Sequence, residues 1–322
     1  MKRRQFLNTA ATIAGSAVLT NGTGLLTSVQ AAPKRWKTAV GLNGFWSSRR
    51  MYGYKMELTD ILQLIADCGY DGVELVDYDE PYPTTAAGIK KIKQLYDGYG
   101  LQIISLQARS RGNPPGGPDK AKRQQYLADC KQQVDFLQDV GSEFIGVWAN
   151  GRIRGMSNEE SAKIVADTWG ELAEYAGSKG MYVVAEPEPV LVINTLAILK
   201  QVYDDINSPH FKVILDPSHA AVLADGDPFV FLKMFRGNIG HVHFTDNDGT
   251  QRQDTQRNRP GTSKHMTLGD GNLDIAGMLR ELKNQNYDKW IMMDLWQVPD
   301  IYRATIVGKQ KLDEVLDDLF PA

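Results

Sequence analysis

The sequence predicts an α/β chain folded as a single-domain (β/α)8 TIM barrel. Three observations carry that expectation. A short β-rich run, a loop and a longer stretch of helical spacing recur eight times along the chain. Such alternation calls for a parallel sheet, because parallel neighbours need crossover connections, usually helices. The length of 322 residues suits a closed barrel, for which about 250 residues is typical and insertions are common. No Gly-x-Gly-x-x-Gly follows the first strand, which weighs against an open dinucleotide-binding sheet.

Strands are expected at 38–45, 72–76, 101–108, 144–149, 182–188, 211–216, 239–245 and 290–296. Between them, apolar residues recur at helical spacing, as in Leu58, Ile61, Leu62 and Ile65, in Ile89, Ile92 and Leu95, and in Val134, Leu137 and Val140. The same spacing joins Ile164, Trp169 and Leu172, then Leu196, Leu199 and Val202, then Leu279 and Leu282. Gly69, Gly100, Gly141 and Gly180 stand where helices should close before the next strand. Glu57-Leu58-Thr59 and Asp300-Ile301 look like helix starts. Residues 247–268 form the longest irregular piece, too long and polar for a simple connector, and loops of that length are usually functional or disordered.

Hydrophobic residues make up 42% and charged residues 23%, a globular composition, and the formal charge of −3 provides no electrostatic case for nucleic acid. Cys68 and Cys130 both fall in helical stretches and read as two buried free thiols. Residues 1–31 read as a leader: Lys2, Arg3 and Arg4 precede a mildly apolar stretch, and Val29-Gln30-Ala31 offers small residues for cleavage. Arg3-Arg4 before Gln5-Phe6-Leu7 resembles the twin-arginine (Tat) signal, so the Tat export machinery is the expected partner and the periplasm, or another exported location, the expected destination. Asn21, Gly22 and Gly24 interrupt the apolar stretch, which argues against a membrane anchor. The domain proper then covers 32–322.

A barrel of this kind carries its active site at the C-terminal ends of its strands. Four successive strand ends present an acid or an imidazole there. Strand five ends in Glu186 and Glu188, and strand six ends in Asp216 with His219 in the following turn. On strand seven His241 and His243 are two apart and share a face, and Asp294 is embedded in the apolar run of strand eight. Each has a plainer reading: Asp216 as a helix cap, His241 as a core histidine, Asp294 as the partner of an arginine. One divalent cation would satisfy Glu186, Asp216, His243 and Asp294 together. Three carboxylates and one imidazole are a mostly hard donor set, which favours Mn²⁺ or Mg²⁺, with Co²⁺ or Zn²⁺ as alternatives. His210 and His265 read as loop histidines. Trp46, Trp148 and Trp296 at strand ends either stack on a sugar or pack at the barrel rim.

This order of residues resembles the xylose isomerase-like TIM barrels: Glu on strand five, Asp-x-x-His on strand six, His-x-His on strand seven and an acid on strand eight. That superfamily includes the sugar phosphate isomerases/epimerases, the ketose 3-epimerases and the AP endonuclease family 2. The stretches "CGYDGVEL" (68–75) and "LGDGNLD" (268–274) add to the likeness, which runs from about residue 38 to the end. The resemblance implies that Glu186, Asp216 and His243 bind metal, with Asp294 standing where the family usually has Glu. It implies a substrate contact for His219, a substrate or supporting role for His241, and an acid at the barrel mouth in Glu74. Two positions depart from the ketose 3-epimerases: Gly249 stands where they carry Arg, and Val192 where they carry a second Glu.

The function expected is a metal-dependent isomerase or epimerase acting on an unphosphorylated sugar or keto-sugar through an enediolate. Glu186 and Asp294 would move the protons, and His219, His241, Glu74, Glu188 and Trp46 would line the substrate. A lyase or dehydratase eliminating from a keto-sugar or 3-keto-glycoside is the alternative. A non-catalytic carbohydrate-binding protein and a phosphodiester hydrolase are further ones; five histidines and a negative charge disfavour the hydrolase.

Overall fold

The computed structural model describes residues 34–76, 82–108, 110–254 and 258–321, and the leader expected over residues 1–31 lies outside them. Along the chain come β1 (Thr38–Gly41), α1 (Leu42–Tyr52), α2 (Leu58–Asp67), β2 (Gly72–Val76), α3 (Ala86–Gly98), β3 (Gln102–Ala108), α4 (Lys120–Val140), β4 (Phe144–Trp148), α5 (Asn158–Ser178) and β5 (Tyr182–Glu186). There follow α6 (Leu196–Ile206), β6 (Phe211–Leu215), α7 (Pro217–Leu223), α8 (Phe229–Met234), β7 (Ile239–Phe244), β8 (Gln251–Asp254), β9 (Arg259–Ser263), α9 (Ile275–Asn284), β10 (Ile291–Met293) and α10 (Ile301–Leu319). Eight strands close a barrel in the order β1-β10-β7-β6-β5-β4-β3-β2, and each paired neighbour is parallel. This is the (β/α)8 TIM barrel expected from the sequence.

Local chemistry sets the element ends. Asp119, Ser157, Thr195 and Asp300 each accept backbone N–H groups at a helix start, and Ser157 with Glu160 forms a reciprocal capping box. Gly141 ends α4 at φ 87°, a left-handed conformation that glycine adopts without a Cβ penalty. The expected starts at Glu57 and Asp300 coincide with the N-caps of α2 and α10.

Strand five stops at Glu186 rather than 188, strand eight covers only Ile291–Met293 rather than 290–296, and two further expectations about extent are corrected. The first strand stops at Gly41 rather than residue 45, because Leu42, Phe45 and Trp46 lie at i, i+3 and i+4 and bury one face of α1. The piece at 247–268 is not irregular throughout, since β8 and β9 pair antiparallel within it. Both cysteines are free, but only Cys130 is buried; Cys68 is half-buried.

Inside the barrel, strand alternation stacks side chains in layers. Ala39, Ile104, Phe144, Val184, Ile214 and Met292 form a buried cluster of their own, separate from the larger core between strands and helices. Two residues further along three of these strands stand Glu186, Asp216 and Asp294. The period of two thus seats an acidic layer directly on an apolar one. Trp169 on α5 is fully buried in the outer core, and truncating such a residue to alanine costs about 3–5 kcal/mol.

Candidate metal centre and cleft

Glu186, Asp216, His243 and Asp294 converge above the apolar layer. All four are buried, and one ligand atom from each lies within 4.8 Å of the others. Glu186 closes β5. Its Oε1 is 2.6 Å from His243 Nδ1, and its Oε2 accepts from the Trp148 indole N–H, the pairing that the β4–β5 register brings about.

Asp216 does two jobs. Its Oδ1 caps α7, accepting from Ser218 N at 2.7 Å, Ser218 Oγ at 2.6 Å and His219 N at 3.0 Å, and Pro217 fills the first helical turn. Its Oδ2 is buried and faces the cluster, making no well-aligned hydrogen bond but lying 3.2 Å from His265 Nε2. Burial works against the Asp216 charge, yet His219 and His265 hold its carboxyl well below the usual range. Asp294 goes the other way: burial raises its pKa and outweighs His265 and His243. Asp294 Oδ1 accepts from Asn43 Nδ2 at 3.1 Å and Trp296 N at 3.0 Å, leaving Oδ2 3.7 Å from His243 Nδ1.

The cluster fits a divalent cation on its own chemistry. Three acids share a buried space in which histidines supply the nearest positive charge, and Asp216 Oδ2 makes no well-aligned hydrogen bond there. A metal ion is the simplest group that would satisfy it, with one imidazole and three carboxylates as ligands.

The other expected site residues are spread over different depths. Glu188 lines the cleft, accepts from Thr262 Oγ1 at 3.1 Å, and has its carboxyl pushed up by burial. His219 is buried behind it, its Nδ1 2.8 Å from Ser263 Oγ, and groups with Glu186 and Glu188. Three placements differ from expectation. Trp46 is a core residue of α1, absent from the cleft wall, where Trp148 and Trp296 stand instead. Glu74 is not at the mouth: it is fully buried inside the barrel, with Ser105 donating to it. His241 is buried against the Phe144 ring with centroids 4.5 Å apart and does not line the cleft. The reason is the strand period: two positions before His243 lies the apolar layer.

His265 lies in a loop, as expected, and it also belongs to the centre. The β8–β9 hairpin brings it back over the barrel, with Nε2 3.2 Å from Asp216 Oδ2 and 3.8 Å from Asp294 Oδ2. Burial opposes its charge, but Asp294 and Asp216 outweigh that and lift its pKa to about 9. Its position just before "LGDGNLD" was the available signal. There Asp246 gathers the backbone N–H groups of Gly269, Gly271 and Leu273 and folds the loop onto the barrel.

Above the centre opens a cleft of about 1620 Å³, walled by Trp148, Glu188, Arg252, His265, Trp296 and other residues. Among its described cations, Lys264 donates to Asp248, Arg259 lies 4.0 Å from Asp254, and Arg252 donates to the uncharged Gln297 carbonyl. Arg111 also has a partner. Among the described residues no helix is long and apolar enough to cross a membrane.

A closed parallel barrel with this acid–imidazole cluster at its strand ends defines a class, and the family model confirms it. The chain belongs to the xylose isomerase-like TIM barrel family, whose model matches residues 62–308. Among curated relatives, an uncharacterised protein, MJ1311 of Methanocaldococcus jannaschii, is 25% identical over 275 residues, covering 80% of this chain and 86% of that one. The inosose dehydratase of Clostridium botulinum is 23% identical (78% and 88% covered), and the fructoselysine 3-epimerase of Shigella flexneri 24% (71% and 82%). Solved structures share the fold. A D-tagatose 3-epimerase-like protein superposes with TM-score 0.70 at 23% identity, covering 88% of this chain and 98% of that one. The IolI protein with a bound zinc atom gives 0.70 at 17% (89% and 100%), and the 3-keto-D-glucoside 4-epimerase of E. coli 0.65 at 19% (87% and 99%). The relatives with named activities are thus sugar epimerases and dehydratases, which supports an enzyme acting on a small carbohydrate.

Proposed function

We propose that the protein is a metal-dependent isomerase or epimerase of an unphosphorylated sugar or keto-sugar. The carrying observation is the convergence of Glu186, Asp216, His243 and Asp294 within 4.8 Å at the strand ends. A divalent ion held by these residues would polarise a substrate carbonyl and its neighbouring oxygen. The donor set favours Mn²⁺, with Zn²⁺, named for IolI, as the main competitor. Glu186, fixed by Trp148, takes the proton beside the carbonyl and leaves an enediolate. Asp294, the acid across the cluster from Glu186, returns a proton. Glu188 and His219 orient the substrate hydroxyls.

Two of the described cleft cations, Lys264 and Arg259, face the acids Asp248 and Asp254, which supports an uncharged substrate over a sugar phosphate. Reading residues 1–31 as a Tat leader points the same way, since an exported enzyme meets free sugars and glycosides. The cleft of about 1620 Å³ exceeds the roughly 300–1,000 Å³ usual for small-ligand sites. That favours one second reading, a lyase or dehydratase acting on a 3-keto-glycoside. Incubation of the metal-loaded protein with keto-sugars and glycosides in D2O tests both. Deuterium exchange with an isomer of equal mass supports epimerisation; a released aglycone or unsaturated sugar supports the lyase; no exchange with any of them counts against both.

A further inference from the structure

We propose that Glu74 and Gln107 are positioning residues for the metal centre, acting together behind His243 to keep its Nδ1 turned to the ion. The inference rests on the metal reading above. His243 shows two edges. Nδ1 faces the cluster, 2.6 Å from Glu186 Oε1 and 3.7 Å from Asp294 Oδ2. Nε2 faces away, 3.0 Å from the amide placed as Gln107 Nε2 and 3.1 Å from Glu74 Oε1, while Gln107 Oε1 is buried without a partner. The ring ligates with its unprotonated nitrogen, so Nδ1 serves the ion only if the proton sits on Nε2.

Glu74 sets that choice. A lone pair on Nε2 would lie 3.1 Å from a buried carboxylate oxygen that has no hydrogen-bond partner, whereas a proton there places positive charge beside it. The Gln107 amide then turns its oxygen to the ring; amide oxygen and nitrogen are distinguished only by such partners. All three residues are fully buried, so neither contact is screened by water. Ser105 donates to Glu74 Oε2, and His241 Nε2 lies 3.2 Å from that oxygen. The register of β2 against β3 shifts between Val73 and Glu74, a bulge of the kind that re-aims a side chain. Gly146 makes the space: a Cβ there would sit 2.1 Å from Gln107 Nε2. A buried acid and amide behind a ligating imidazole fix its tautomer and raise its basicity.

Calorimetric titration of the full chain with Zn²⁺ tests this. Glu74→Gln and Gln107→Leu are each expected to weaken Zn²⁺ binding roughly 10- to 100-fold, and ¹⁵N spectra of the loaded wild type to show the His243 proton on Nε2. A folded Glu74→Gln protein with wild-type Zn²⁺ affinity overturns the proposal, as does a lowered melting temperature with unchanged affinity. Should Glu74→Gln not fold, Ser105→Ala decides: it frees one Glu74 oxygen, and a roughly 2- to 10-fold loss supports the proposal while wild-type affinity overturns it. A wild type that takes up neither Zn²⁺ nor Mn²⁺ refutes instead the metal reading on which the proposal stands.

Discussion

Asp216 Oδ2 lies 3.2 Å from His265 Nε2, so an acid ending β6 meets a histidine delivered by the hairpin after β7. In the metal-free protein the pair sets a pH dependence. The His265 pKa is lifted to about 9 from an ordinary 6.5. A raised folded-state pKa means that the folded chain binds more protons between those values. Its stabilisation is complete below about pH 6.5 and is lost as pH rises through about 9. Thermal melts of chelator-treated protein should show a falling midpoint across this window. A midpoint that rises from pH 6.5 to 9 would contradict the assignment.

Metal removal is expected to destabilise the fold, because an ion that binds only the native state stabilises it by mass action. At a hundredfold excess over Kd the effect is about 2.7 kcal/mol. Glu186→Gln and His243→Ala should each abolish that increment on Mn²⁺ or Zn²⁺ addition. Metal analysis and melts with and without the ion would show it. Full retention of bound metal in both variants would refute the ligand set.

Asp294 separates chemistry from binding. Asp294→Asn keeps the bonds from Asn43 and Trp296 within reach but cannot exchange the proton. We expect turnover to fall on the order of 10²- to 10⁴-fold, with a smaller loss of metal affinity. Steady-state kinetics beside metal titration will report this; equal turnover in variant and wild type would remove Asp294 from the proton path.

The thiols offer a check of burial that needs no substrate. Burial pushes the Cys130 pKa up to about 12, whereas Cys68 is half-buried and raised by a weaker version of the same cause. An alkylating reagent at pH 8 should modify Cys68 first and leave Cys130 untouched until unfolding. Mass spectrometry of tryptic peptides would reveal rapid Cys130 labelling in the folded protein, were it to occur.

How much of this was legible beforehand divides along the chain. The barrel was readable because strand and helix each leave a periodic apolar signature, and the acids at 186, 216 and 294 interrupt those runs where only a mouth position tolerates them. The doubled role of Asp216 was half visible: the sequence suggested cap or ligand, and its two oxygens take one role each.

Depth was not legible. Residues two apart share a strand face, but which is at the mouth and which in the apolar layer depends on stagger against neighbouring strands, including the register shifts beside Glu74 and Ile214. Glu74 therefore reads as a mouth residue and lies below it, and of the two readings open for His241, core or substrate, burial matches the core one. Trp46 read as a strand end because nothing in one strand announces that Gly41 opens a helix. His265 read only as loop because its partners come from β6 and β10, far away in sequence. By itself the sequence determined the alternating elements, the closed barrel and the four converging side chains, since those follow from local periodicity and the hand of the fold. Only the tertiary structure decided which histidine edge meets which carboxylate, because that rests on distances of 2.6 to 3.8 Å between residues from different strands and loops.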